Sequence, residues 1–469
     1  MKKRIIAAVF FLVFAVALAR PAIASEVDVL VDKLVKKGVL SKSDANEVLK
    51  EVRETQETQW QEKDKERAEV IKATKDAIKK DNPTLFAGGI PDWVRKMQLK
   101  GDLRLRYEHI QRDVDTNFGK GQKKYVDVDR YRYRLRLGVV TKVTDDVDVG
   151  FGFASGTADP RSANQSFQKE FSKGQLNIDY AYARYKPYSW LTLQGGKFEN
   201  PLWRPSELIW KDDIRPDGAA ILFTYDALPN LNLFTNIGAF IIDSQNTTYL
   251  SNSTKDHSLH SDDPCMLVFQ PGSKYSFTDS IYFKNALSFY GTNNVRHHTF
   301  ADYSSGTNTL DKTGQYKGTL KNSYNAIVAS GEVGYKNPIP YVPFAALFGE
   351  YIKNTSSSSS NGGFKDSGPG GSNDTGYLVG VKFGSEKVVK RYDWQFWARY
   401  ERLEQDAWLD FLTDSDTYSG RTGVKGPKIS LTYGLLDNVN AVASYFNTKL
   451  INGGSHEENL FQFDLKYNF

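Results

Sequence analysis

RYRYRLR, residues 130–136, places Arg130, Arg132, Arg134 and Arg136 at every second position, with Tyr131, Tyr133 and Leu135 between them. Successive side chains on a strand point to opposite faces, so a period of two reads as β-structure with one guanidinium face and one aromatic and aliphatic face. Two settings accept such a strand: a sheet with one wetted face, or a barrel wall with lipid outside and water inside. The heptapeptide alone leaves both open.

The same period runs through the chain from residue 97 onward. LKGDLRLRYEH (99–109) sets Leu99, Leu103, Leu105 and Tyr107 against Lys100, Asp102, Arg104, Arg106 and Glu108. Further strands are predicted over 125–140, 147–155, 175–186, 191–197, 218–225, 231–242, 264–271, 281–291, 319–335, 343–353, 375–384, 393–402, 424–433, 439–448 and 459–469. With the first, at 97–109, they make about sixteen, within the even strand numbers of bacterial barrels. Connections alternate between short, turn-rich ones (TDD at 144, PYSW at 187, DALPN at 226, NPIP at 337, LLDN at 435) and long ones such as 156–174, 243–263 and 292–318. Short periplasmic turns and long outer loops have this asymmetry in outer-membrane barrels.

The two ends of the sequence select the membrane setting. Lys2, Lys3 and Arg4 precede an apolar run from Ile5 to Ala19 and the small-residue stretch Ala22 to Ser25. That is the layout of a secretory signal peptide over residues 1–25; the run is short for a retained membrane helix. Its removal takes the formal net charge from +5 to +1, since it holds Arg20 as a fourth cation and no acid, so basicity is local and does not point to nucleic acid. At the other end, NLFQFDLKYNF (459–469) puts Phe461, Phe463, Leu465, Tyr467 and Phe469 on one face. An amphipathic strand finishing on an aromatic resembles the carboxy-terminal signature of bacterial outer-membrane β-barrels. Arginine on the lipid face costs ~2–4 kcal/mol near the midplane, on the order of 10 kcal/mol for four, so the arginines of 130–136 are expected to face the lumen. Trp190, Trp394, Tyr433 and Tyr467, near predicted strand ends, suit an interfacial aromatic girdle.

Residues 26–82 have a different, helical spacing, through Val27, Leu30, Val31, Leu34 and Val35, then a Glu/Lys/Gln/Ala-rich segment with a seam polar in its middle. A periplasmic helical segment is expected there, either a solvated stalk or a coiled coil. Residues 83–96, with Asn82-Pro83 and Gly88-Gly89, form a linker before the barrel domain at 97–469.

GGKFENPLWRPSELIWKDDIRPDGAA (195–220) and RYERLEQDAWLDFLTDSDTYSGRTGVKG (399–426) carry a closer resemblance. With the arginine-alternating strand and the terminal Phe469, they resemble the putative porin family of Gram-negative bacteria. The likeness spans roughly residues 97–469. It implies an antiparallel transmembrane β-barrel and a passive outer-membrane channel for small hydrophilic solutes or ions, in contact with outer-membrane lipid. It leaves the solute unnamed.

The stretch after the fifth strand is expected to fold inward as a constriction loop carrying Lys197, Glu199, Arg204, Glu207, Asp212, Asp213, Arg215 and Asp217. Across an aqueous gap from a pore wall of Lys100, Arg104, Arg106, Arg130, Arg132, Arg134 and Arg136, it would set up a transverse field favouring anions. The opposing expectation is neutralisation of the arginines by Asp102, Asp127, Asp129 and Asp148. Strict alternation turns Asp127 and Asp129 to the other face. Glu401, Glu404, Asp406, Asp410, Asp414 and Asp416 read as solvated loop charge, with Ca²⁺ binding the alternative, although the EF-hand frame is missing; the family resemblance implies a structural role for Asp414 and Asp416 at the mouth. Neither the single Cys265 nor His297-His298 makes a disulfide, haem or metal motif, and no Ser-His constellation suggests an enzyme. No cofactor is expected. A sheath around a multihaem electron conduit is the competing function, and a homotrimer is expected by analogy with sixteen-strand porins.

Overall fold

The computed structural model describes residues 92–114, 124–168, 170–244, 263–300, 302–314, 316–339, 341–356, 373–452 and 456–469. Two compact units divide the chain at Arg95 and Lys96. In the first, the described part is one helical turn, α1 (Asp92–Arg95). The predicted signal peptide, the helical segment at 26–82 and most of the linker lie outside the described residues.

The second unit is a wall of strands: β1 (Gln98–Val114), β2 (Lys124–Lys142), β3 (Val147–Ser155), β4 (Gln165–Ser166), β5 (Leu176–Tyr188), β6 (Leu191–Lys197), β7 (Asp217–Leu228), β8 (Leu231–Ile241), β9 (Cys265–Ser276), β10 (Ile281–Asn293), β11 (Ala326–Ile339), β12 (Val342–Asn354), β13 (Thr375–Gly384), β14 (Trp394–Leu403), β15 (Val424–Leu436), β16 (Val439–Leu450) and β17 (Glu457–Asn468). β4 is a two-residue piece set against Arg132 and Tyr133 of β2. The other sixteen pair antiparallel with their sequence neighbours, and β17 returns to β1, so the sheet closes into a barrel without a free edge. All sixteen predicted strands are present. The largest displacement is the start of β11, expected at 319 and found at Ala326; β1 and β9 run on past their expected ends at 109 and 271, to Val114 and Ser276. Residues just before it are drawn inside the barrel, where Tyr324 is fully buried and its hydroxyl donates to Asp406 at 3.1 Å.

Closure is fixed by register. Leu103, Leu105 and Tyr107 of β1 oppose Leu135, Tyr133 and Tyr131 on one side and Tyr467, Leu465 and Phe463 on the other. The intervening polar residues all fall on the opposite face, because a period of two survives only if every pairing is in phase. Outward lie Ile237, Phe269, Phe289, Leu347, Val379 and Leu431, all exposed. Inward lie buried Asp102, Arg104, Arg106, Gln270, Ser330 and Asp464. Polar inside and apolar outside inverts the arrangement of a soluble domain and fits a lipid-facing wall.

Tight connections gather at one end, among them 189–190, 229–230 and 437–438, and the long loops 156–175, 198–216, 294–325 and 404–423 at the other. β1 starts and β17 finishes at the tight-turn end, where the Gly101 and Phe469 amides and carbonyls bond reciprocally at 2.6 and 3.0 Å. Aromatic side chains collect there too: Trp190 stacks on Tyr188 with ring centroids 5.2 Å apart and on Phe223 at 6.1 Å, and Trp394 opposes Tyr433 across β14 and β15. Within the lumen, several rings lie flat across the neighbouring strand because the residue opposite them is glycine. A Cβ on Gly150 would stand 2.6 Å from Tyr182, and one on Gly334 would stand 2.2 Å from Tyr282.

Leu431 lies at the middle of β15 on the outer face. Leu431→Arg is expected to lower the stability of the lipid-inserted barrel by ~2–4 kcal/mol, measured by urea unfolding from vesicles, whereas Leu431→Met should leave the midpoint nearly unchanged.

Candidate functional site: a charged lumen crossed by loops

The loop 198–216 leaves β6 and enters the lumen. The Trp203 amide donates to Gln270 of β9 at 2.8 Å, Arg399 of β14 donates to Ser206 at 2.8 Å, and Asp213 meets Arg134 and Arg136 of β2 at 3.5 and 3.2 Å. A segment touching three such separated parts of a closed ring has to cross its interior. Its apolar side chains Phe198, Leu202, Leu208, Ile209, Trp210 and Ile214 are buried. They pack in one cluster with Ala407, Trp408, Leu409 and Leu412 of the loop 404–423; the Trp210 and Trp408 rings are 6.4 Å apart. The interior is therefore held by a hydrophobic core in which loop side chains pack on one another and on apolar wall residues, among them Phe240, Met266, Tyr290 and Phe348.

Charged side chains fasten that core to the wall. Lys211 donates to Asp414 at 2.6 Å and to Asp416 at 3.0 Å, joining the two loops. Asp414 also receives Arg399 at 2.8 Å and Lys428 at 3.4 Å, and Asp416 lies 3.5 Å from Arg106. Burial alone would push the Lys211 ammonium down, but Asp414, Asp416 and Glu207 hold it well above the usual lysine range. Burial would raise Asp213, yet Arg134, Arg136 and Arg104 bring it below the usual carboxylate range. Asp414 is likewise held low against burial by Lys211, Lys428 and Arg399.

The arginine wall is met by a smaller set of acids that its guanidinium groups share. Asp102 accepts from Arg134 at 2.6 Å and Arg136 at 2.6 Å; Asp464 accepts from Arg106 at 2.6 and 2.8 Å; Glu108 meets Arg130 at 2.8 Å, Arg106 at 3.3 Å and Arg132 at 3.5 Å. Arg104 donates to Asn164, in the loop 156–175, at 2.5 Å. Lys100 shares this face by alternation and is exposed near the tight-turn end. The gap expected between an acidic loop and a basic wall is thus replaced by direct contact at Asp213. Of the acids proposed as neutralisers, Asp102 serves. Asp148 pairs with Lys142 and Lys186 at 3.8 and 3.5 Å, while Asp127 and Asp129 lie by His109 on the other face.

The remaining loop residues pair mostly among themselves, with Glu207 also 3.5 Å from Lys211. Lys197 bonds Asp217 at 2.8 Å, Arg204 bonds Asp212 at 2.5 Å, Glu207 accepts from the Asp212 amide at 2.8 Å, Arg215 lies 3.6 Å from Asp179, and Glu199 is exposed. The acidic cluster of the loop 404–423 corrects its expectation as solvated charge. Asp406, Asp410 and Asp414 are buried; Asp410 accepts from Ser304, from the Thr307 amide at 2.8 Å and from the Thr307 hydroxyl, and Asp406 accepts from Thr309. These carboxylates fold one loop onto another, since a buried acid is tolerated when donors surround it. Glu404 accepts from Thr375 at 2.7 Å, and Glu401 pairs with Arg399 at 2.9 Å. Glu108, Asp464 and Asp416 were missed as members of the arginine network; polar-face position signals the first two, but only register sets Asp464 opposite Arg106.

Lys211→Ala leaves two buried aspartates short of a cation and is expected to weaken loop docking by ~3–5 kcal/mol, read as faster chymotryptic cutting after Trp210 in the folded barrel. The depressed carboxylates contribute stability present above the ordinary carboxylate pKa and lost as pH falls through their lowered values. The raised ammonium contributes stability present below the ordinary lysine pKa and lost as pH rises through its raised value. The contribution of these three groups is therefore constant between about pH 4 and about pH 10 and lost outside that window, while Glu207, raised by burial, favours docking below the ordinary carboxylate range and less above it; near-UV circular dichroism of the buried Trp210 and Trp408 is expected to follow the sum.

Residues 67–319 and 300–469 match the family model described as Putative porin. No curated protein matches the sequence significantly. Among solved structures, a triple mutant of Rhodopseudomonas blastica porin aligns at 14% identity over 80% of this chain and 100% of its own, with a TM-score of 0.38. Pseudomonas putida OprB at high pH aligns at 12% identity over 82% and 97%, with a TM-score of 0.47. The family model takes in the whole barrel, and the chain belongs to the Putative porin family of outer-membrane channels.

Proposed function

We propose that this protein is a porin through which small hydrophilic solutes and ions diffuse passively, with a preference for anions. The observation that carries this reading is the loop 198–216, which touches β2, β9 and β14 and so narrows a polar lumen instead of leaving it open. Lys100, Arg104, Arg106, Arg130, Arg132, Arg134 and Arg136 line the wall of the path, and the loop residues from Lys197 to Asp217 form its constriction. Because Asp102, Glu108, Asp213, Asp416 and Asp464 stand against those arginines, they shape the path more than they charge it. A sheath around a cytochrome conduit would need a bore free for a protein partner, and the crossing loops occupy that space. The tight-turn end would face the periplasm, as would the residues before β1, and three copies would assemble side by side through their apolar outer faces.

Reconstitution into planar bilayers tests the proposal. Discrete conductance steps are expected, with a reversal potential of anion sign under a KCl gradient. Arg132→Ala is expected to change the conductance more than the reversal potential, since its loss leaves Glu108 with Arg130 and Arg106. A folded, inserted barrel that passes no current would overturn the channel reading.

A further inference from the structure

Toward the tight-turn end the inner wall changes character. Lys274 of β9 lies 4.3 Å from the centre of the Tyr282 ring, Lys284 of β10 lies 4.7 Å from Trp203 and 5.5 Å from Phe234, and Lys382 of β13 lies 4.9 Å from Phe348. Arg184 of β5 sits in the same way over Tyr182 at 5.0 Å. Each strand-borne ring is flat against the wall because its cross-strand partner is a glycine: Tyr282 opposes Gly334, Phe234 opposes Gly272, Phe348 opposes Gly380 and Tyr182 opposes Gly150. A Cβ on any of these glycines would come within 2.6 Å of the ring. The rings therefore present their faces to the lumen, and the cations rest on them.

A ring quadrupole fixes a cation in place without cancelling its charge, which a carboxylate does cancel. Among the described residues, neither Lys274 nor Lys284 has a carboxylate within ion-pair distance; Glu332, directly opposite Lys284 across β10 and β11, lies 3.6 Å from Lys382 and accepts from the Tyr282 hydroxyl at 2.8 Å, while Asp148 is opposite Arg184. Lys274 and Lys284 are also directly opposite one another across β9 and β10, a like-charge placement that costs stability in any sheet. The arginine wall makes the same placement, with Arg104 opposite Arg134 and Arg106 opposite Arg132, but there Asp102, Glu108 and Asp464 stand between the charges, as no acid does between Lys274 and Lys284.

Resting on the channel reading above, we propose that this ring-seated lysine belt, and not the arginine wall, is the anion-selecting filter of the protein. Its cations lie within a few residues of the tight turns, with Lys284 against Trp203 of the crossing loop, so the filter sits between that loop and the mouth. Small hydrated anions such as chloride are its class of solute: the rings are already covered by ammonium groups and offer no free face for stacking. Uncancelled charge on a low-dielectric wall raises the local concentration of the opposite ion and repels the like one.

The experiment is the reversal potential of single channels in planar bilayers under a KCl gradient. Lys274→Gln with Lys284→Gln is expected to lower the chloride-to-potassium permeability ratio roughly fivefold, and Lys274→Arg with Lys284→Arg to retain it. Glu332→Gln should move the ratio the other way, and it supplies the test if the double glutamine variant does not fold, as judged by heat-dependent gel mobility. Conducting channels whose ratio is unchanged in the folded glutamine variant, or unchanged by Glu332→Gln, would overturn the filter while leaving the porin reading intact. Absence of conductance in the unmodified protein would instead overturn both.

Discussion

Lys211, carried into the lumen by the loop after β6, donates to Asp414 and Asp416 on the loop after β14, and those aspartates in turn hold Arg399, Lys428 and Arg106 of the wall. Taking any one of these charges out of water alone would cost several kcal/mol, and only the matched set makes the arrangement tolerable. The hydrophobic contacts of Trp210 and Trp408 then have a fixed frame on which to form. Remove one member of the matched set and the loops keep their apolar packing on Phe240 and Tyr290, but the charges left behind stand buried and unpaired.

The strands were legible because alternation is a local property. Sixteen segments with a period of two, alternating short and long connections, and a polar face that cannot meet lipid lead to a closed barrel without knowledge of any contact. The late start of β11 lies where Tyr324 leaves the wall pattern to bond Asp406 inside. Pairing was not legible in the same way. Asp464 and Arg106 are 358 residues apart in sequence and 2.6 Å apart in space, and alternation assigns each to a face but not to each other. The acidic stretch from Glu401 to Asp416 misled for a related reason: its donors, Ser304, Thr307, Thr309 and Lys211, come from other loops, so composition alone resembles exposed charge.

The lumen thus contains two ways of holding a cation. Around RYRYRLR each guanidinium is fastened by acid, and the stretch that is richest in positive charge in the sequence is close to neutral in space. On the opposite arc, lysines with no such partners rest on aromatic faces seated over glycines. Charge counted along a chain and charge felt by a passing ion are therefore different quantities, and the second depends on what each side chain leans against.

The crossing loop also has a mechanical meaning. A ring of hydrogen-bonded strands resists stretching along its hydrogen bonds but bends readily across its width, so an empty barrel can flatten under lateral pressure. Contacts from 198–216 to β2, β9 and β14 tie distant arcs of the ring together and act as internal struts. The cross-section is then set from within, and the bilayer presses on a braced cylinder whose aperture does not follow the lipid around it.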